Sequence, residues 1–383
     1  MINDLILAVF LGRVPDWVLV LITSTVGVVA LLVFAVFNAL AGGLIERKLL
    51  GRFQIRYGPN RAGPVGLFQT LADALKILAK EAITPFDVDK WVYWAAPVVV
   101  LTPALLTFAV IPFAPGMVLL DINIGLLYLA AVGSLGVMPI FMAGWASNNK
   151  YSLLGAMRSV AMTVSYEIPL VLSLVGLILL GGSFHLGTLV DYQLQHGWFV
   201  FLQPLAFLLF LIAGTAEMSR TPMDLTEGES ELVAGYHTEY SGFKFVMFYM
   251  AEYTHGFAIS AMITTLFLGG WGTGPVLDLI PPAVWFVGKV YLMFCVFVWI
   301  RATLPRLRID QLMGFAWKFL IPLALANIFI VALEVQAALP SLVVFAVNAV
   351  LAVILVMLWT QVVGRTGVAA QRTQYVTKLM SSS

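Results

Sequence analysis

Charge is what this sequence has least of. Only 11% of its 383 residues are Asp, Glu, Lys or Arg, 61% are hydrophobic, and the mean hydropathy is +0.96. Ordinary soluble domains carry about twice that charged fraction, so the soluble globular class is excluded at once. Cysteine is nearly absent as well. Cys295 stands alone inside an apolar run, which excludes a disulfide framework and leaves nothing to ligate an iron–sulfur cluster. The four histidines form no paired haem site within an apolar run. No Gly-rich dinucleotide or P-loop motif occurs. Alone, the chain has no means of running electron transfer or phosphoryl chemistry. The net charge of +1 decides nothing, but the lack of any basic domain outside the apolar runs argues against nucleic acid as a partner.

Long uncharged apolar runs fill the rest. A helix of about 20 residues crosses a bilayer core, and it satisfies its own backbone hydrogen bonds in lipid. Runs of that length predict an all-α polytopic membrane protein with about nine transmembrane helices, over 17–40, 91–113, 124–145, 153–180, 198–216, 245–269, 284–301, 312–333 and 340–364. The first run lacks a positive leader and is too long for a signal segment, so it is expected to be retained. The two long polar segments, 46–90 and 214–244, are too short for separate domains. The chain therefore reads as a single membrane domain over 1–383.

Basic residues orient these spans. Arg47, Lys48, Arg52, Arg56 and Arg61 follow the first span, Arg220 and Lys244 the fifth, Arg301, Arg306 and Arg308 the seventh, and Arg365 and Arg372 the last. The alternate loops hold no Lys or Arg. By the positive-inside rule, both polar segments and the C-terminus face the cytoplasm and the N-terminus lies outside. Within "ERKLLGRFQIRYGPNRAGPVGLFQTLADALKILAKE", Pro, Gly and Asn mark turns. After them Leu67, Leu71, Ala74, Leu75 and Leu78 recur at helical spacing, predicting an amphipathic interfacial helix. It is either a plain surface helix or a basic platform for a partner. Glu46 beside Arg47 also suits the head group of a polar, amphipathic ligand.

The few carboxylates are unevenly placed. Glu167 lies midway along the fourth span, beside Tyr166 and two residues before Pro169. A charge there is expensive, roughly 2.5–3.5 kcal/mol on insertion scales, so it is expected to face a wet cavity or a partner. Glu217 and Glu252 border the fifth and sixth spans. Between them the loop "TPMDLTEGESELVAGYHTEYSG" holds Asp224, Glu227, Glu229, Glu231 and Glu239, with His237 and Tyr240. A cation site, a docking surface, coupled proton-sharing carboxylates and a merely solvated loop all remain open for it. Calcium-loop spacing is absent, and no dedicated metal site is expected. Lys289 and Arg301 near helix ends are read as snorkelling cations. Lys318, some turns inside the eighth span, is read as an internal partner for a carboxylate.

Four long motifs, the first polar segment, "GWASNNKYSLLGAMRSVAMTVSYEIP", "AEMSRTPMDLTEGESELVAGYHTEYSG" and "WIRATLPRLRIDQLM", appear in order. They resemble the family of the bacterial NADH-quinone oxidoreductase H subunit, the counterpart of a mitochondrial complex I membrane subunit. The resemblance implies an eight-helix core plus one further C-terminal helix over 340–364. It implies a multi-pass subunit of the bacterial cell membrane that docks hydrophilic-arm subunits and other membrane-arm subunits. Such a subunit binds no cofactor of its own, takes quinone as substrate, and leaves FMN and iron–sulfur clusters to its partners. Carried onto this chain, the resemblance places Glu46, Arg47, Arg56 and Asp73 in a quinone chamber. It places Tyr166, Glu167, Glu217, Asp224, Glu227, Glu229, Glu231 and Glu252 on a proton path, with His237, Glu239, Tyr240, Arg301 and Lys318 in support. The rival readings are a membrane subunit of an energy-converting hydrogenase, a stand-alone proton-coupled transporter, and a structural anchor for the arm.

Overall fold

A computed structural model describes residues 16–224, 234–272, 281–337, 343–354 and 357. Among the described residues every regular element is a helix, with no strand. Helix α1 (Asp16–Phe53) is followed by α2 (Gln69–Leu78) and α3 (Lys90–Val110). The third predicted span is two helices, α4 (Gly125–Leu135) and α5 (Val137–Ala146), meeting at Gly136. Then come α6 (Lys150–Gly181), α7 (Leu186–His196), α8 (Phe199–Leu202) and α9 (Pro204–Glu217). Helices α10 (Phe243–Phe267), α11 (Pro282–Thr303), α12 (Ile309–Phe315) and α13 (Ile321–Gln336) come next, α12 and α13 being joined by a π-helical turn over Ala316–Leu320. The helix α14 (Val343–Ile354) falls within the predicted ninth span.

Six segments are long and apolar enough to cross a membrane: Thr25–Phe53, Lys90–Val110, Gly125–Ala146, Lys150–Gly181, Pro282–Thr303 and Ile309–Gln336. The remaining three predicted spans differ from these for local reasons. Gln203 breaks the fifth into α8 and α9, and its amide is buried and donates to Gly176 O at 3.0 Å. Helix α10 has 25 residues but carries Glu252, His255 and a series of hydroxyls. Helix α14 is short within the described residues. The outer loop expected between the fourth and fifth spans contains α7, which His185 caps by accepting from the Thr188 amide.

Two helices organise the packing. Helix α10 touches α1, α2, α3, α7, α8, α9 and α11, and almost its whole second half is buried. Its hydroxyls make that burial tolerable, since each bonds a carbonyl one turn back: Thr254 to Met250, Ser260 to Gly256, Thr264 to Ser260 and Thr265 to Ala261. The far end of α10 is closed by Lys289, whose Nζ donates to the carbonyls of Leu268, Gly270 and Gly272 at 2.7, 3.0 and 2.9 Å. Gln193 adds a bond to Thr265 O at 3.0 Å and accepts from Gly269 N at 2.9 Å. Lys289 is thus a buried helix cap rather than a snorkelling cation.

Helix α6 is the second organiser and packs against α4, α5, α7, α9, α12 and α13. Asn149 caps its start by accepting from Tyr151 N at 2.9 Å, and Gly182 ends it in the left-handed region at φ 65°. Close approach of α5 to α6 depends on Gly144, where an added Cβ falls 2.2 Å from Ala156 Cβ. Helix α2 has no buried residue, and Leu71, Leu75 and Leu78 are 45–58% exposed, as an interfacial helix in contact with lipid requires. Gly144→Ala is expected to force α5 and α6 apart and remove about 1–3 kcal/mol of stability, read as a lower unfolding temperature of the detergent-solubilised protein.

Candidate functional site

The two polar segments meet at one end of the bundle. Ser241 Oγ accepts from Ile83 N at 2.9 Å and lies 3.3 Å from its carbonyl. Lys244 Nζ donates to Thr84 Oγ1 at 2.8 Å and sits over the rings of Trp94 and Tyr93. Tyr240 stacks on Tyr93 with ring centroids 4.2 Å apart, and Tyr93 Oη donates to Glu239 O at 2.7 Å. The Glu239 carboxylate accepts from Asn149 Nδ2 at 2.6 Å, reaching the start of α6. Together these bonds weld 83–94, 149 and 239–244 into one surface. Beside it, Lys48, Arg52, Arg56 and Tyr57 line a basic concavity of about 570 Å³. Ile55, Tyr57, Phe86 and Trp91, all within or next to the first polar segment, stand 90–98% exposed.

Beneath this surface lies a compact ion cluster. Glu46 in α1 is 4% exposed and accepts from Arg220 at 2.9 and 3.0 Å and from Arg301 of α11. Arg220 also bonds Glu252 of α10 at 2.8 Å and lies over the Tyr253 ring. Two carboxylates and two guanidiniums therefore tie α1, α10, α11 and the segment after α9 together. Arg47 pairs instead with Asp73 of α2, which Gln69 also donates to at 3.0 Å. The Arg47 guanidinium holds the Asp73 carboxyl below its ordinary range, against the opposing effect of burial.

Deeper, a cavity of about 100 Å³ opens between α3, α4, α6, α9 and α10. Glu252, His255, Glu217 and Glu167 line it, and a further space of about 20 Å³ is shared by Glu167, Glu217 and His255. His255 Nε2 stands 3.6 Å from Glu217 Oε1. No Lys or Arg lines either space among the described residues. The arrangement is chemically lopsided. Glu46, Glu252 and Asp73 are matched by arginines, whereas Glu217 and Glu167 share spaces that no Lys or Arg lines among the described residues.

The NADH dehydrogenase family model matches residues 26–332. The chain belongs to this family. Relatives agree: it is 56% identical over 305 residues to the NADH-quinone oxidoreductase H subunit of Dehalococcoides mccartyi, covering 80% of this chain and 85% of that one. It is 49% identical over 321 residues to the H subunit of Carboxydothermus hydrogenoformans, covering 84% and 90%. It is 49% identical over 327 residues to that of Anoxybacillus flavithermus, covering 85% and 98%. Within the family match lie the ion cluster and both cavities, while Glu334 and α14 lie beyond it.

The residues singled out by sequence fall into distinct groups in this NADH dehydrogenase family member. Glu167, Glu217 and Glu252 share a cavity. Glu46 and Arg301 form a buried ion pair, so Arg301 does not snorkel. Arg47 and Asp73 join α1 to α2. Arg56 is exposed and donates to Gln54 at 2.7 Å. Tyr166 is fully buried away from the cavities, donating to Leu312 O at 3.0 Å, because adjacent helical residues point about 100° apart. Lys318 is exposed at the π-helical turn and lines neither acidic cavity. Asp224 is half-buried at the loop's start, and Glu227, Glu229 and Glu231 lie outside the described residues. Tyr240 and Glu239 hold the surface together, and burial pushes the Tyr240 phenol up. His255 is a cavity residue that sequence reasoning missed, although its position three residues after Glu252 puts both on one helical face.

These charges set two expectations. Glu46→Ala takes the carboxylate from Arg301 and leaves Arg220 with Glu252 alone, and is expected to remove about 3–5 kcal/mol, with Glu46→Gln losing less; thermal unfolding of the solubilised protein measures both. His237, packed edge-on against Tyr236 and Phe245, is lowered by burial to about 4. An unfolded imidazole binds its proton at about pH 6.5, so between these values the unfolded state holds more protons. Stability is therefore full above about pH 6.5 and falls as pH drops toward about 4. His237→Phe is expected to flatten this limb of the stability–pH curve.

Proposed function

We propose that this chain is the membrane subunit that couples quinone reduction to proton movement in an NADH-quinone oxidoreductase. Its relatives are named as the H subunit of that enzyme, and the surface chemistry suits the role. In this reading the welded surface over 46–94 and 235–244 docks the hydrophilic arm. Exposed Ile55, Tyr57, Phe86 and Trp91 supply apolar anchors, and Arg52 and Arg56 supply charge. The quinone head group approaches between this surface and the arm, near α1, α2 and the Arg47–Asp73 pair. FMN and iron–sulfur clusters belong to partner subunits, and the chain is inactive alone. The N-terminus lies outside and the C-terminus in the cytoplasm of a bacterial cell membrane.

The observation that carries the reading is the continuity of acids. Glu46 and Glu252 sit in the ion cluster under the docking surface, and Glu252 also lines the cavity that reaches Glu217 and Glu167. Reducing a quinone to a quinol takes up two electrons and two protons, and protons drawn from neighbouring groups change the charge above the cluster. Arg220 bonds both Glu46 and Glu252, so a change in charge near Glu46 alters how firmly Glu252 is held. Released from Arg220, Glu252 is a better proton acceptor, since its ionised form has lost its cation. A proton taken there has carboxylates ahead of it at Glu217 and Glu167, in a space large enough for water. That ordering favours a path toward mid-membrane over a purely structural anchor. The close sequence likeness to quinone oxidoreductase subunits weighs against the hydrogenase alternative.

Glu167→Gln and Glu217→Gln are expected to assemble into the complex and to reduce proton translocation to near background. The measurement is protons moved per NADH oxidised in vesicles holding the complete enzyme. Unchanged stoichiometry in both variants would remove the cavity from the path.

A further inference from the structure

We propose that His255 carries protons within the acidic cavity, accepting them on the Glu252 side and passing them to Glu217. The inference rests on the proton-path reading above and assigns a residue that reading does not need. Three observations support it. Among the described residues, only His255, Glu167 and Glu217 are ionisable groups that line both the larger and the smaller cavity. Its Nε2 is 3.6 Å from Glu217 Oε1, beyond a direct hydrogen bond but within reach of a small side-chain rotation or one bridging water. And it lies one helical turn beyond Glu252 on α10, so that both line the larger cavity from one face.

The surroundings explain why an imidazole belongs there. Glu217 faces His255 from α9 and Glu167 from α6. Glu252 shares its helix and is engaged by Arg220. Tyr236 contributes the remaining titratable group of the cavity lining, from the turn before α10. Helices α3, α4 and α5 present apolar residues, glycines and the Thr107 hydroxyl. Two carboxylates thus share a low-dielectric space without a fixed cation, and their like charges repel when both are ionised. A protonated His255 relieves that repulsion without leaving a permanent counter-charge. Lysine or arginine would lock the carboxylates into ion pairs, as Arg220 and Arg301 do to Glu46. Imidazole changes its charge between about pH 5 and 8, so it can both take a proton and give it up under working conditions.

The transfer balances simply. Neutral imidazole takes one proton at a ring nitrogen and becomes imidazolium. The imidazolium gives the proton on Nε2 to the Glu217 carboxylate, which becomes a carboxylic acid, and the imidazole returns to neutral. The cavity of about 100 Å³ has room for several waters, each needing roughly 10–15 Å³, to bridge the gap.

The test uses the complete complex in sealed vesicles, with protons translocated per NADH oxidised followed from about pH 5 to 8. The native enzyme is expected to show an inflection in this range, and His255→Gln to lose it and move fewer protons throughout. A native-like profile in His255→Gln would overturn the proposal. A second measurement leaves His255 in place and reads no pumping. The complete complex carries isotope-labelled histidine in this chain, and infrared difference spectra follow the imidazole titrations. Glu217→Gln removes the charge facing His255, and one histidine titration is expected to move to lower pH. Titrations that all stay where they were overturn the assignment, even if His255→Gln fails to assemble. The failure of the path and the failure of this assignment are distinguishable. If Glu167→Gln and Glu217→Gln leave translocation unchanged, the path itself fails. If they abolish it while His255→Gln keeps the native profile, only the role of His255 fails.

Discussion

Glu46 is the charge on which the rest of this structure depends. A carboxylate 4% exposed among apolar helices is tolerable only with its ionic partners in place. Those partners come from far along the chain, Arg220 at a separation of 174 residues and Arg301 at 255. Satisfying one buried acid therefore fixes the first span, the seventh span and the segment after the fifth against one another. Arg220 extends the same constraint to α10 through Glu252. Membrane helices gain little from hydrophobic association, because lipid is as apolar as their side chains. Specific polar ties of this kind consequently decide which helices meet.

The acids divide into two regimes within about one helical turn of each other. Near the surface where the two polar segments meet, four carboxylates each have a bonded cation or amide: Glu46 and Glu252 with arginines, Asp73 with Arg47, Glu239 with Asn149. Such groups hold geometry. Beyond Glu252 the fixed cations stop, and Glu217 and Glu167 meet a histidine and a cavity instead. Groups of the second kind are not pinned by ion pairs to a Lys or Arg of the cavity lining. Glu252 stands at the boundary and belongs to both.

Much of the architecture was legible in the sequence because span length and apolarity are local properties. The broad positions of the helices and the interfacial α2 came from them. The phase of side chains around each helix was less accessible. Tyr166 and Glu167 group together as neighbours in sequence, yet a helix turns them to different faces. Counting turns puts Lys318 inside, but the π-helical turn over Ala316–Leu320 inserts an extra residue and rotates the helix beyond it. Arg301 looks like a residue reaching for water because its partner, Glu46, cannot be inferred across so long a separation. His255 sits inconspicuously near the start of its span, although its spacing from Glu252 is visible in the sequence.

Helix α10 is held at both extremities. Lys289 and Gln193 grip its last carbonyls at one end, and Lys244 is seated among Thr84, Tyr93 and Trp94 at the other. A rod pinned in this way has lost its freedom to slide or tilt as a whole. Changes of charge along its length must then be absorbed locally, by rotamers and by the filling and emptying of the space beside Glu252 and His255. The helix forms one wall of that space, and its side chains are the part with room to respond.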